Sequence, residues 1–149
     1  MKVGEICNRE VIIARKEESL LEAGKRMREF HVGSLVVIQE SEGERIPIGI
    51  LTDRDILMEV LSEGVPLEKI EVRDIMSSSP VTVSQEEGVF ETIDLMRRHG
   101  IRRVPVVDAQ RSLVGVLALD DLLEFLSEEL KSLSKIFSFQ QEQEALHRP

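Results

Sequence analysis

The pattern of hydrophobic and polar positions is written twice along this chain. In the first half a short β-branched stretch, Val11 to Ala14, is followed by Leu20, Gly24 and Met27 at spacings of four and three, and then by the apolar runs Leu35 to Ile38 and Ile48 to Leu51. In the second half Val81 to Val83 precede Val89, Ile93 and Met96 at the same spacings, with the runs Val104 to Val107 and Leu113 to Leu117 beyond. Spacings of three and four place side chains on one face of a helix, whereas short unbroken apolar runs suit strands covered on both faces. Each half therefore predicts strand, helix, strand, strand, helix.

Local signals set the expected boundaries. Ser84 and Glu87 have the Ser-x-x-Glu spacing of a capping box, which predicts a helix start near there. Arg97, Arg98 and His99 followed by Gly100 predict its end, a basic last turn and a residue that accepts a left-handed conformation. Glu42, Gly43 and Glu44 read as the exposed tip of a hairpin, and the last helix of each half is expected to begin near Thr52 or Ala118. Glu63 to Lys69, with Gly64 and Pro66, reads as a linker.

The halves align residue by residue at an offset of 69, from Ile6 with Ile75 to Ile38 with Val107, and at 66 beyond the longer first turn, where Gly49 meets Gly115. A repeat of this length suggests two fused half-domains sharing one core and one cleft. The expected organisation is a first repeat over 1–62, a linker over 63–71, a second repeat over 72–126 and a helical extension with a polar tail over 127–149. The fold class is α/β (α+β), with the repeats packed in pseudo-twofold symmetry.

At 149 residues and 42% hydrophobic the chain can bury a core as one compact module. No apolar run approaches the length needed to span a bilayer and no basic start precedes one, so a cytoplasmic protein without a membrane partner is expected. A net charge of −9 disfavours nucleic acid, so any phosphate must be held by a local basic patch. The lone Cys7 aligns with Met76, which points to packing rather than nucleophilic chemistry. His31, His99 and His147 lie at no metal-ligand spacing, and no catalytic constellation is visible.

Candidate chemistry gathers at Thr52 and Asp55, three residues apart at a strand-to-helix junction. A hydroxyl and helix N-terminal amides suit a phosphate, and an ionised carboxylate suits the hydroxyls of a ribose. A capped helix start explains the same spacing. The surrounding residues resemble a pair of cystathionine-β-synthase (CBS) domains. The resemblance rests on Gly49-Ile50-Leu51-Thr52-Asp53-Arg54-Asp55-Ile56, on Arg102-Arg103-Val104-Pro105-Val106-Val107-Asp108, and on Gly115-Val116-Leu117-Ala118-Leu119-Asp120-Asp121-Leu122.

This resemblance implies a regulatory, non-enzymatic module that binds an adenine nucleotide (AMP, ADP or ATP), with NAD and S-adenosylmethionine also offering adenine and ribose. It implies that Asp55 binds ribose and Thr52 lies near phosphate, that Gly33, Ser34 and Ile50 surround the base, and that Arg102 and Arg103 reach phosphate oxygens from the opposite repeat. Ala118 stands where the first repeat has Thr52, so a second site around Val116 and Asp121 is expected to be weaker. Homodimers and a regulated protein partner are implied as well; a ligand-independent dimerisation scaffold is the alternative.

Leu122, Leu126, Leu130, Leu133 and Phe137 continue a helical stripe past the repeat, expected either to pack on the module itself or to meet a second copy. Gln140 to Pro149 are polar and expected to be mobile.

Overall fold

The computed structural model describes residues 1–147. The first repeat runs β1 (Ile13–Arg15), α1 (Leu20–Phe30), β2 (Ser34–Ser41), β3 (Glu44–Thr52) and α2 (Asp53–Glu63). A short α3 (Val72–Ile75) and β4 (Ser77–Ser78) lead into the second, which runs β5 (Val83–Ser84), α4 (Val89–His99), β6 (Arg103–Val107), β7 (Leu113–Ala118) and α5 (Leu119–His147). The predicted order of strand, helix, strand, strand, helix holds in both halves.

Helix ends follow their caps. The Ser19 side chain accepts from the Glu22 amide to start α1, and His31 (φ 55°) closes it in the left-handed conformation that Gly100 (φ 62°) adopts after α4. The expected capping box at Ser84 and Glu87 does not start α4, which begins at Val89 with Gly88 as its N-cap. Ser84 instead belongs to β5, where its hydroxyl accepts from the Glu86 amide and its carbonyl from the Glu87 amide. The Ser-x-x-Glu pattern thus closes a turn one step before the helix, a local hydrogen bond that competes with capping for the same residue type.

In each sheet the first strand is parallel to the second and the second antiparallel to the third. The β2–β3 hairpin turns at Glu42 and Gly43, both at positive φ. Register shifts fall at Val37/Ile38 and Val106/Val107, equivalent positions in the two repeats.

The halves exchange their leading segments. Val3, Ile6 and Cys7 pack into the core built by β5, β6, β7 and α4, whereas Ile70, Val72, Ile75 and Met76 pack into the core of the first repeat. Backbone bonds repeat across the pseudo-twofold axis: the Val3 amide donates to Glu87 O and the Val72 amide to Glu18 O, both at 2.8 Å. Asn8 pairs with Val116 of β7, as β4 pairs with Gly49 and Ile50 of β3. A third cluster, Val36, Ile38 and Leu113 with Val11, Ile13 and Val116, joins the halves directly.

The exchange explains two glycines. A Cβ on Gly49 would stand 2.6 Å from the Met76 sulfur and 2.8 Å from Ser77 O; one on Gly115 would stand 2.7 Å from the Cys7 sulfur and 2.9 Å from Asn8 O. Backbone oxygens cannot swing aside as a side chain can. Cys7 is thereby a packing residue, and burial raises its thiol pKa above the usual value.

Beyond the module α5 continues without a break, and the polar segment from Gln140 expected to be mobile is helical to His147. Glutamine, glutamate and alanine are good helix formers, so polarity alone does not end a helix. Arg148 and Pro149 of that expected tail lie outside the described residues. Of the predicted stripe Leu122 is buried in the core of the second repeat and Leu126 is half-buried, whereas Leu130, Leu133 and Phe137 are exposed, so from Leu130 onward the stripe does not pack on its own module.

Gly49→Ala and Gly115→Ala should each destabilise the fold by about 1–3 kcal/mol through overpacking, read as a lower urea midpoint with an unchanged slope. Alkylation of Cys7 by iodoacetamide in the native protein should be slow at pH 7 and become fast in urea; fast native reaction would contradict its packed position.

Candidate functional site

The pseudo-twofold axis runs through a cleft of about 810 Å3 between the repeats. Gly33, Ser34, Ile50 and Thr52 line it from the first repeat, and Arg102, Arg103, Val116 and Asp121 from the second. Asp55, the remaining residue expected at the site, is not among the lining residues.

The cause lies in how α2 begins. The Thr52 Oγ1 accepts from the Asp55 amide and the Asp55 Oδ2 accepts from the Thr52 amide, both at 3.1 Å, forming a reciprocal capping box. The Asp53 amide donates to Gly33 O at 2.9 Å and the Arg54 amide to Asp53 Oδ1 at 2.8 Å. The first three amides of α2 are therefore satisfied within the chain. The expectation that free amides converge there for an anion is corrected: nearby oxygens of the chain take those donors, which have no partner within the helix itself.

The second repeat keeps half of this arrangement. The Asp121 Oδ2 accepts from the Ala118 amide at 2.9 Å, but Ala118 has no hydroxyl to return the bond. Asp121 faces the cleft, with Asp120 beside it.

Charge across the cleft is uneven. Arg103 donates to the Ser34 hydroxyl at 2.6 Å, so two residues at equivalent positions of the repeats meet across the axis. Neither Arg102 nor Arg103 takes part in an ion pair among the described residues, unlike Arg15, Arg26, Arg73, Arg97 and Arg98. The carboxylates of Glu10, Asp120 and Asp121 also border the cavity. An anion there would meet two guanidinium groups with no carboxylate of their own, the donor geometry that suits phosphate.

Sequence reasoning missed the segments that precede each repeat's first strand. Ser77, Ser78, Ser79, Pro80 and Val81 line the cleft on one side, and Asn8, Glu10, Val11 and Ile12 on the other. Their signal was present, since these stretches occupy equivalent positions at the offset of 69 and mix small polar with apolar side chains. Ser79 is held at φ 52° immediately before Pro80, an unusual backbone for a serine.

Among the described residues no group of three His, Cys, Asp or Glu side chains is placed to hold a metal, and no helix is long and apolar enough to cross a membrane. The family model for the CBS domain matches residues 3–62 and 72–128. The chain belongs to the CBS domain family. The two repeats of this CBS pair are thus the two halves that exchange their leading segments and enclose the cleft.

An uncharacterized protein of Methanopyrus kandleri is 38% identical over 124 residues, 83% of this chain, and the chain spans 62% of that relative's length. Hypoxic response protein 1 of Mycobacterium tuberculosis is 31% identical over 124 residues, covering 83% of this chain and 84% of that protein. A crystal structure of Hypoxic Response Protein I with two coordinated zinc ions superposes with a TM-score of 0.72 at 27% identity, over 83% of this chain and 98% of the other. The CBS domain pair of protein MJ0100, solved with 5′-methylthioadenosine and S-adenosyl-L-methionine, matches with a TM-score of 0.72 at 25% identity, over 85% and 99% of the two chains.

The half-built cap of α5 makes a stability prediction. Ala118→Ser supplies the missing hydroxyl and should stabilise the CBS pair by about 0.5–2 kcal/mol, while Thr52→Ala should cost a similar amount. Both are read from urea unfolding midpoints.

Proposed function

We propose that this CBS pair is a non-catalytic regulatory module that binds an adenine nucleotide, AMP, ADP or ATP, in the cleft between its repeats. Binding is passed to a protein partner as a change of shape or of packing between two copies. The observation that carries this reading is the pair Arg102 and Arg103, free of ion pairs among the described residues and opposed across the cleft by the hydroxyls of Ser34 and Thr52.

Phosphate oxygens are taken by the two guanidinium groups, with Arg103 giving up Ser34 in exchange. Thr52 supports the phosphate, and Gly33, Ser34 and Ile50 frame the base on the side of the first repeat. Asp55, which stands behind the cleft wall, serves the ribose only if its Oδ1, the oxygen that the capping box leaves unused, turns toward the cavity when the ligand binds. The half of the cleft around Val116 and Asp121 lacks the threonine hydroxyl and binds more weakly. Because groups from both repeats clamp one ligand, the nucleotide favours the arrangement that brings those groups together, by its difference in affinity between the two states.

A second reading takes the ligand class in another direction. Glu10, Asp120 and Asp121 gather beside Val116 and Ala118, and carboxylates favour an adenosine ligand that carries positive charge, such as S-adenosylmethionine. The MJ0100 pair, solved with that compound and with methylthioadenosine, supports adenosine recognition in this fold. NAD shares the same adenosine contacts.

Calorimetric titration with AMP, ADP, ATP, NAD and S-adenosylmethionine tests the proposal. Saturable micromolar binding of a phosphate-bearing ligand is expected. Arg103→Ala should weaken it by about one to two decades, the worth of a hydrogen bond to a charged group, and Asp121→Ala should weaken it less than Asp55→Ala. Tighter binding of S-adenosylmethionine than of any nucleotide would favour the second reading. No binding by any of them at millimolar concentration would leave the scaffold role.

A further inference from the structure

The segment of α5 beyond the module carries a heptad seam. Leu123, Leu126, Leu130, Leu133, Phe137 and Gln140 follow one another at spacings of three, four, three, four and three, the a/d pattern of a two-stranded coiled coil. The helix is continuous through this stretch, and Leu123, Leu130, Leu133 and Phe137 are 57%, 67%, 58% and 69% exposed. A helix that projects from its module with leucine and phenylalanine in water lacks the tertiary packing that ordinarily sustains it.

The residues beside the seam indicate what covers it. The flanking e and g positions are Ser127, Glu129, Ser134, Ile136, Gln141 and Gln143, so one of six is charged in a chain with 28 acidic residues. Lys131, Lys135, Glu124, Glu128 and Glu142 all fall on the outer b and f positions. From residue 123 to 140 three glutamates and two lysines leave a net charge of −1, although the chain as a whole carries −9. A second copy would thus meet an apolar seam without like-charge repulsion along it, whereas an acidic or basic partner would find no complementary row of charges. Four to five large side chains from each copy bury roughly 1,000 Å2 in total, near the lower bound for a specific interface.

We propose that residues 123–140 form a two-stranded coiled coil with the same segment of a second copy, joining two CBS pairs through their α5 helices. This names the interface for the pairing of copies proposed above and is independent of which ligand enters the cleft.

Sedimentation equilibrium of the full chain without nucleotide tests it. The 16.9 kDa chain should sediment at twice its mass at concentrations on the order of tens of micromolar, as a modest interface allows. Leu130→Glu with Leu133→Glu should weaken association at least a hundredfold. These side chains touch no core, so the urea unfolding midpoint of the module should stay as in the parent. As a comparison, Leu57→Glu with Leu61→Glu alters exposed apolar residues of α2 and should leave the dimer intact. A monomeric parent would overturn the proposal and the pairing of copies while leaving nucleotide binding standing. A dimer that persists in the α5 variant, or is lost only in the α2 variant, would overturn the coiled coil alone.

Discussion

Neither repeat closes its core without the segment that leads into the other. Val3, wholly buried, belongs by sequence to the first half and by packing to the second; Val72 does the reverse. Burying one such side chain is worth about 1.5–3 kcal/mol, and each exchange also carries backbone bonds that complete a sheet edge at Val116 or at β3. Two half-domains joined this way cannot be pulled apart as separate units without exposing both cores. Gly49 and Gly115 follow from the same constraint, because the exchanged strands pass where a Cβ would stand.

The cleft is a product of that symmetry, and its chemistry comes from where the symmetry fails. Backbone bonds recur almost unchanged from one repeat to the other: the Asp53 amide donates to Gly33 O and the Leu119 amide to Arg102 O, at 2.9 and 2.8 Å. Side chains at the same positions differ. Serine opposes arginine at Ser34 and Arg103, glycine opposes arginine at Gly33 and Arg102, and threonine opposes alanine at Thr52 and Ala118. One backbone plan therefore presents a cleft with arginines and hydroxyls meeting at its middle and carboxylates bordering the second repeat.

Much of this was legible in the sequence, and the failures have physical causes. The hydrophobic pattern predicts the strand, helix, strand, strand, helix order of each repeat, because elements that bury one face repeat their apolar residues accordingly, but it does not predict the short α3 and β4 that lead into the second repeat. The Ser84 and Glu87 spacing marks the neighbourhood of the α4 start but not its cap, because a turn uses the same serine and the helix begins at Val89. The exchange of leading segments was invisible, since pairing between Asn8 and Val116 is set by the whole fold and leaves no local pattern. Eight of the nine residues expected at the site line one cavity, and Asp55 stands behind the capping box it forms with Thr52. The serines before β5 went unnoticed because small polar residues ahead of a strand look like any loop until the fold brings them to the axis.

A nucleotide bound as proposed would meet both repeats at once in the cleft between them. The most direct measurement is a 15N-correlated NMR titration of the labelled chain with AMP. Saturable shifts are expected at Ser34 and Thr52 together with Arg102, Arg103 and Ser77 to Ser79, and none along residues 141–147 of α5. Shifts confined to one repeat, or concentrated outside the cleft, would contradict it.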